Sequence, residues 1–201
     1  VLAGESQGLP LARRHGIESP LSVTQYEKAV RFRALHDAPR AFVIPNPWDI
    51  GSARILAGLG FQALATSSAA SACALGRRDR GLKRDEALAH ARWIVDATDL
   101  PVSADLEQVL FAPGLPDLAA VRTVCAALSK PFNFMAGIKG KSFSVGELAA
   151  AGVRRISLAS SLYRAAMTGF LDAAREVKDA GRFGFLDRCV ATPELNALMG
   201  I

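Results

Sequence analysis

Two acids, Asp105 and Glu107, stand two positions apart at the end of the apolar run Pro101-Val102-Ser103-Ala104. On a strand that spacing turns both side chains to one side, and two close carboxylates repel unless a cation or a proton sits between them. A divalent, oxygen-loving ion such as Mg2+ is one occupant that resolves the repulsion. Two solvated acids at a strand end are the other reading. Ser67 and Ser68 open a second candidate place, the small-residue stretch Ser67-Ser68-Ala69-Ala70-Ser71. Small residues after a strand let backbone N–H groups approach an anionic oxygen, as an oxyanion or carboxylate site requires, although they also allow close packing with no ligand. Asp79 follows in a Gly-bounded loop, Leu75-Gly76-Arg77-Arg78-Asp79-Arg80-Gly81, while Asn46 and Trp48 follow an earlier apolar run.

Other chemistries find less support. Gly137-Ile138-Lys139-Gly140-Lys141-Ser142 is too short between its first Gly and its Gly-Lys pair for a nucleotide phosphate loop. A weaker anion contact from Lys139 or Lys141 stays open. His15, His36 and His90 all fall away from strand ends, which argues against histidine acid–base or triad chemistry. Cys73, Cys125 and Cys189 show neither CxxC nor zinc spacing, so neither a disulfide framework nor structural zinc is expected, and Cys73 reads as a buried structural thiol.

The elements that must carry these residues alternate along the chain. A helix begins near Thr24, and short apolar runs at 41–45, 62–67, 101–106, 132–136 and 155–159 read as strands. Helical stretches at about 49–59, 84–97, 117–128, 145–151 and 162–180 separate them. This is the βα rhythm of a parallel α/β fold, in which working groups sit at strand C-termini. The rhythm fails once: Val109–Pro113 reads as a sixth strand, yet only Glu107 and Gln108 divide it from the third. Parallel strands need a crossover of a dozen or more residues. The expected fold is therefore a (β/α)8 barrel of the TIM type in which about two βα units, roughly 60 residues, are missing from the sequence at Glu107/Gln108. Residues 1–25 read as a flexible arm, 26–187 as one barrel domain and 188–201 as a C-terminal tail.

Composition narrows the partners. Half of the 201 residues are hydrophobic, which suits a folded domain and excludes disordered or low-complexity classes. No run is long and apolar enough for a membrane span, and the first residues lack a basic, then apolar, leader, so a cytoplasmic protein without membrane contact is expected. The formal charge is +5, from 24 Lys and Arg against 19 Asp and Glu. The basic residues are scattered as pairs without a stripe or interleaved aromatics, so nucleic acid is not an expected partner.

At this point the sequence resembles the phosphoenolpyruvate mutase and isocitrate lyase superfamily, in particular its carboxyvinyl-carboxyphosphonate phosphorylmutase-like members. The matching stretches are Asn46-Pro47-Trp48-Asp49 with Ser52-Ala53-Arg54, Ala65-Thr66-Ser67-Ser68 leading to Leu75-Gly76 and Asp79, Leu100–Glu107, Phe111–Leu115 and Gly152–Ser157. The resemblance implies a barrel that binds Mg2+ and a small 2-oxo or carboxylic acid at the strand C-termini. It implies an enzyme that makes or breaks a C–C or P–C bond beside an enolate, as a lyase or as an isomerase of the phosphonate mutase type. Asp105 would be the direct metal ligand, with Glu107 and Asp79 holding metal-bound waters. Ser67 and Ser68 would contact the substrate's carboxylate or oxo oxygen, with Trp48 beside them. It also implies a homotetramer, a dimer of dimers that exchanges C-terminal helices. In the family, the third strand's acids lead into strands carrying a further acid, a substrate-binding arginine and a gating loop; none of these follows Glu107 here. The alternative is a catalytically inert barrel homologue that binds a ligand or serves in assembly.

Overall fold

The computed structural model describes residues 23–104, 114–140 and 142–200. Helix α1, Gln25–Asp37, starts at Thr24 because the Thr24 hydroxyl accepts the Glu27 N–H while the Glu27 carboxylate accepts the Thr24 N–H. Strand β1 is Phe42–Ile44, and α2, Ile50–Gly58, begins where Asp49 and Ser52 cap each other in the same reciprocal way. Strand β2, Leu64–Ala65, runs into α3, Ser68–Ala74. The small-residue stretch after Ser67 is thus a helix and not part of a loop. Its alanines favour helix, Ser67 supplies the N-cap oxygen, and Gly76 at φ 69° takes the left-handed turn that ends it.

Helix α4, Arg84–Ala97, and strand β3, Val102–Ser103, complete the first half. After the stretch outside the described residues come α5, Leu118–Ala127, β4, Asn133–Met135, α6, Val145–Ala150, β5, Arg155–Ser157, and α7, Ser161–Arg175. A π-helical turn, Glu176–Ala180, ends α7, and α8, Thr192–Met199, follows. The expected tail therefore contains a helix, which packs along α2; a Cβ built on Gly58 would lie 2.1 Å from the Leu198 carbonyl oxygen. The expected sixth strand at 109–113 lies outside the described residues.

All strand pairs among the described residues are parallel. Strand β5 lies between β1 and β4, with Val43 and Phe134 both opposite Ile156, and β2 pairs with β3, with Ala65 opposite Ser103. The two sheets are joined where the Ala65 N–H donates to the Pro45 carbonyl at 2.9 Å. The order across the described strands is therefore β4-β5-β1-β2-β3, and the two edge strands flank the place where the break is expected, Glu107/Gln108.

Alternation sorts the side chains of this layer. Phe134 and Ile156 turn to α5 and α6, where they meet Val121, Leu148, Ala151 and Val153. Leu64 and Val102 turn to α2 and α4, against Ala53, Leu56 and Ile94. The opposite face of the strands carries Ile44, Ala65, Ser103, Asn133, Met135, Arg155 and Ser157. Helix α1 covers part of it through Phe32 and Leu35, which pack on Phe42, Ile44, Ala63 and Ala65. Lys28 fixes that helix, its buried ammonium donating to the Thr98 carbonyl at 2.8 Å at the end of α4.

Candidate active site

The inner face of the strands and their C-terminal ends enclose a concave pocket of about 80 Å³. Its rim is held by Asn46. Pro45 and Pro47 on either side have no N–H to give to a ladder, so the Asn46 side chain completes the hydrogen bonding at the end of β1. Its Nδ2 donates to the Thr66 carbonyl at 2.8 Å and its Oδ1 accepts the Leu158 N–H at 3.0 Å. One buried amide thus ties the ends of β2 and β5 to β1.

Ser67, at the same level, is buried; its Oγ accepts the Ala70 N–H at 3.4 Å and keeps its own proton to donate. Ser68 is half-buried at the first position of α3. Asp79 lies farther out, in the loop after α3, exposed and without hydrogen bond or ion pair to the described residues. Arg80 beside it takes φ 62°, a left-handed conformation that costs a side chain strain, and Gly81 closes the turn by donating its N–H to the Arg78 carbonyl at 2.8 Å. Arg77 pairs with Glu86 at 2.9 Å, fastening this loop to α4.

Trp48 is not among the residues that line this pocket. Its indole meets the Tyr163 ring edge-on at 5.6 Å and lines a separate groove of about 370 Å³ with Ile55, Leu56 and Leu162. The chain leaves the strand after Asn46 and turns into α2, so strand alternation no longer governs where Trp48 points. The Trp48 carbonyl is within 2.8 Å of His90 Nε2, and this contact explains why a histidine lies buried in the middle of α4. Asp105 and Glu107, which follow β3 in sequence, lie outside the described residues, and no group of three or more His, Cys, Asp or Glu that could hold a metal occurs among the described ones. Carboxylates remain the donor type that suits a hard divalent cation, and Asp79 is free to serve as one.

The thiols also differ from expectation in one case. Cys73 is exposed, because the last turn of the short α3 faces outward. Cys125 is half-buried under Gly152, and burial pushes its thiol pKa up.

The polar floor of the pocket is built by residues other than the candidate site residues above. The Arg155 Nε donates to Asn133 Oδ1 at 2.9 Å, and Asn133 Nδ2 donates to Ser157 Oγ at 3.0 Å. Burial pushes the guanidinium below its ordinary pKa. The signal was present in the sequence: Asn133 and Arg155-x-Ser157 put polar residues at alternate positions of runs otherwise apolar.

An inward face of small and polar residues at the C-terminal ends of parallel strands is the mark of an α/β enzyme site. The family described as phosphoenolpyruvate phosphomutase matches this chain over residues 32–109 and 108–178. That is well over half of the chain, and the chain belongs to this family. The two matched segments meet at residues 108–109, where the strand rhythm breaks.

Among solved structures, a provisionally assigned lyase/mutase from Burkholderia cenocepacia J2315 is 29% identical, with a TM-score of 0.83, over 88% of this chain and 98% of that one. The phosphoenolpyruvate phosphomutase of Streptomyces platensis subsp. rosaceus is 15% identical, with a TM-score of 0.67, over 86% and 95%. A 2,3-dimethylmalate lyase of the PEP mutase/isocitrate lyase superfamily is 18% identical, with a TM-score of 0.61, over 87% and 95%. The latter two speak to the fold alone. No curated protein matches the chain.

Proposed function

We propose that this protein is a divalent-metal-dependent enzyme, a lyase or phosphonate mutase, that makes or breaks a C–C or P–C bond of a small 2-oxo or carboxylic acid through an enolate. The observation that carries the reading is the family match over both halves of the chain, together with a pocket at the strand C-termini rimmed by Asn46 and Ser103. Ser67 and Ser68 contact the carboxylate or oxo oxygen of the substrate. Trp48, held edge-on by Tyr163 in the neighbouring groove, is the further residue proposed to meet the substrate. Asp105, Glu107 and Asp79 are the carboxylates that would hold Mg2+. When bound there, the ion supplies neutralisation of the charge that develops on the enolate oxygen.

The same reading includes the whole barrel. The edge strands β3 and β4 are the ones that further βα units would cover, and the family match divides at the same place. We assign the native polypeptide about two more βα units between Glu107 and Gln108. An intact mass well above 21.3 kDa for the natural protein supports this, and a mass of 21.3 kDa refutes it. Its assembly is proposed as a dimer of dimers joined through α7, α8 and the segment between them, where Phe170, Phe183, Leu186 and Val190 are exposed. The cytosol is its proposed compartment; no helix among the described residues is long and apolar enough to cross a membrane.

The test of activity is a pyruvate- or oxaloacetate-forming assay on small 2-oxo and dicarboxylic acids, with and without Mg2+. Turnover should be lost on chelation and in Asp105→Ala. Turnover indifferent to both, or absent with every acid tried, sinks the reading.

A further inference from the structure

The geometry points to a carboxylate-binding site on the floor of the pocket, built by Arg155 and braced by Asn133, that is separate from the acids at the strand ends. Arg155 is the first residue of β5 and Asn133 the first of β4, so the pair lies at the start of the strands, whereas Ser67, Ser68 and Asp79 follow the end of β2. The two residues are in register, opposite one another across the β4–β5 ladder. A guanidinium has five N–H donors in a planar fork, and Arg155 spends one of them, Nε, on the Asn133 amide oxygen. The remaining four, on the two terminal nitrogens, have no hydrogen-bond or ion-pair partner among the described residues.

No carboxylate among the described residues pairs with this half-buried cation, which is costly to leave without a counter-charge, and burial accounts for the weakened hold of Arg155 on its proton. Arg154, the preceding residue, faces the other way and donates to the Pro39 carbonyl, and Arg77 has its glutamate. The brace is itself ordered: Asn133 Nδ2 is held by Ser157 Oγ, which fixes the amide so that its oxygen faces Nε and its hydrogens do not. With Nε engaged, the guanidinium plane is set and its outer edge is presented to the pocket.

A planar fork of parallel N–H donors matches a carboxylate in bidentate fashion. The pocket, about 80 Å³, exceeds the space that one water needs and admits an anion of a few heavy atoms. Ser103 and Met135, which share the lining, offer one hydroxyl and one thioether and add no competing negative charge. The site rests on the proposed function only for the choice of a small organic acid as ligand; its geometry involves neither Asp79, Asp105 nor Glu107.

The experiment uses the full chain without added metal. Its thermal unfolding is followed against sodium acetate and sodium malonate, with sodium chloride and sodium sulfate at matched ionic strength. Arg155→Met, Arg155→Lys and Asn133→Ala are compared with the parent. The expected result is a saturable rise in melting temperature with the carboxylates beyond that with chloride or sulfate, weakened about tenfold or more in Arg155→Lys and absent in Arg155→Met. Asn133→Ala, which leaves the charge but frees the fork, should weaken binding with the unliganded melting temperature little changed. Without ligand, Arg155→Met should melt near the parent, since a half-buried charge with no counter-ion among the described residues is removed.

Three results would each overturn the site. One is no carboxylate effect beyond sulfate, and another is an effect unchanged in Arg155→Met. The third is an unliganded Arg155→Met that melts more than about 10 °C lower or fails to fold, which would mean that the protein itself supplies the counter-charge. Because no metal or turnover enters, failure here leaves the Asp105→Ala assay free to decide the enzymatic reading.

Discussion

Replacing Asn46 by alanine tests whether the site is held together by one amide. The side chain is 4% exposed and makes two hydrogen bonds, to the Thr66 carbonyl at 2.8 Å and from the Leu158 N–H at 3.0 Å. Alanine removes both partners and leaves the Leu158 N–H without the acceptor it has in the parent. An orphaned buried group costs about 1–3 kcal/mol, and weakening the contact to Thr66 adds about 1, so a total of about 2–4 kcal/mol is expected. For a chain of this size that is a fall of about 5–15 °C in melting temperature.

Asn46→Asp sharpens the test. Aspartate keeps the acceptor for Leu158 but turns an acceptor oxygen toward the Thr66 carbonyl, so the folded state favours the protonated acid and raises its pKa above the unfolded value of about 3.9. The deficit against the parent should therefore be smallest below that value and grow as pH rises through the raised folded pKa. Urea unfolding of both variants between pH 4 and 8 reads both numbers. A loss under about 1 kcal/mol for Asn46→Ala, or a deficit in Asn46→Asp that does not grow with pH, would refute the argument that this amide substitutes for the missing backbone donors.

Other expectations follow from single features. Arg80→Gly should raise stability by about 0.5–1 kcal/mol in urea unfolding, since φ 62° strains a side chain and not glycine. Gly58→Ala should destabilise the chain by about 1–3 kcal/mol, because the new Cβ would lie 2.1 Å from the Leu198 carbonyl oxygen, and the loss should vanish in a chain truncated after Val190 if α8 alone is displaced. Hydrogen bonds from Thr24 and Ser144 hold the Glu27 and Glu147 carboxyls below their ordinary pKa. Their contribution is present above the unfolded value of about 4.3 and is lost as pH falls through the lower folded values. Helix content followed by circular dichroism should accordingly fall in the acid limb less steeply in a Glu27→Gln, Glu147→Gln double variant than in the parent.

Most of the strands and helices were legible in the sequence because each carries its own period and punctuation. Strand β5 was readable from Arg155–Ser157 lying between Gly152 and the next helical stretch, and α4 from its clean amphipathic run. Helix α3 was not, since Ser68–Ala74 has no apolar periodicity: alanine and serine read equally as loop or helix until the Ser67 cap and Gly76 are placed in three dimensions. The break expected at Glu107/Gln108 rests on a reading of the same kind, that parallel strands cannot be joined by two residues.

The family and the residue types at the strand ends came from local sequence, which motif spacing can carry. The order β4-β5-β1-β2-β3 did not, because pairing between residues more than a hundred positions apart, such as Phe42 with Arg155, leaves no local trace. That order alone made Asn46 a tie between three strands and brought Asn133 to Arg155 on the floor of the pocket. A residue's type is fixed by the chain, whereas the face it occupies and the partner it meets are decided by packing of distant segments, and that is where the candidate site is assembled.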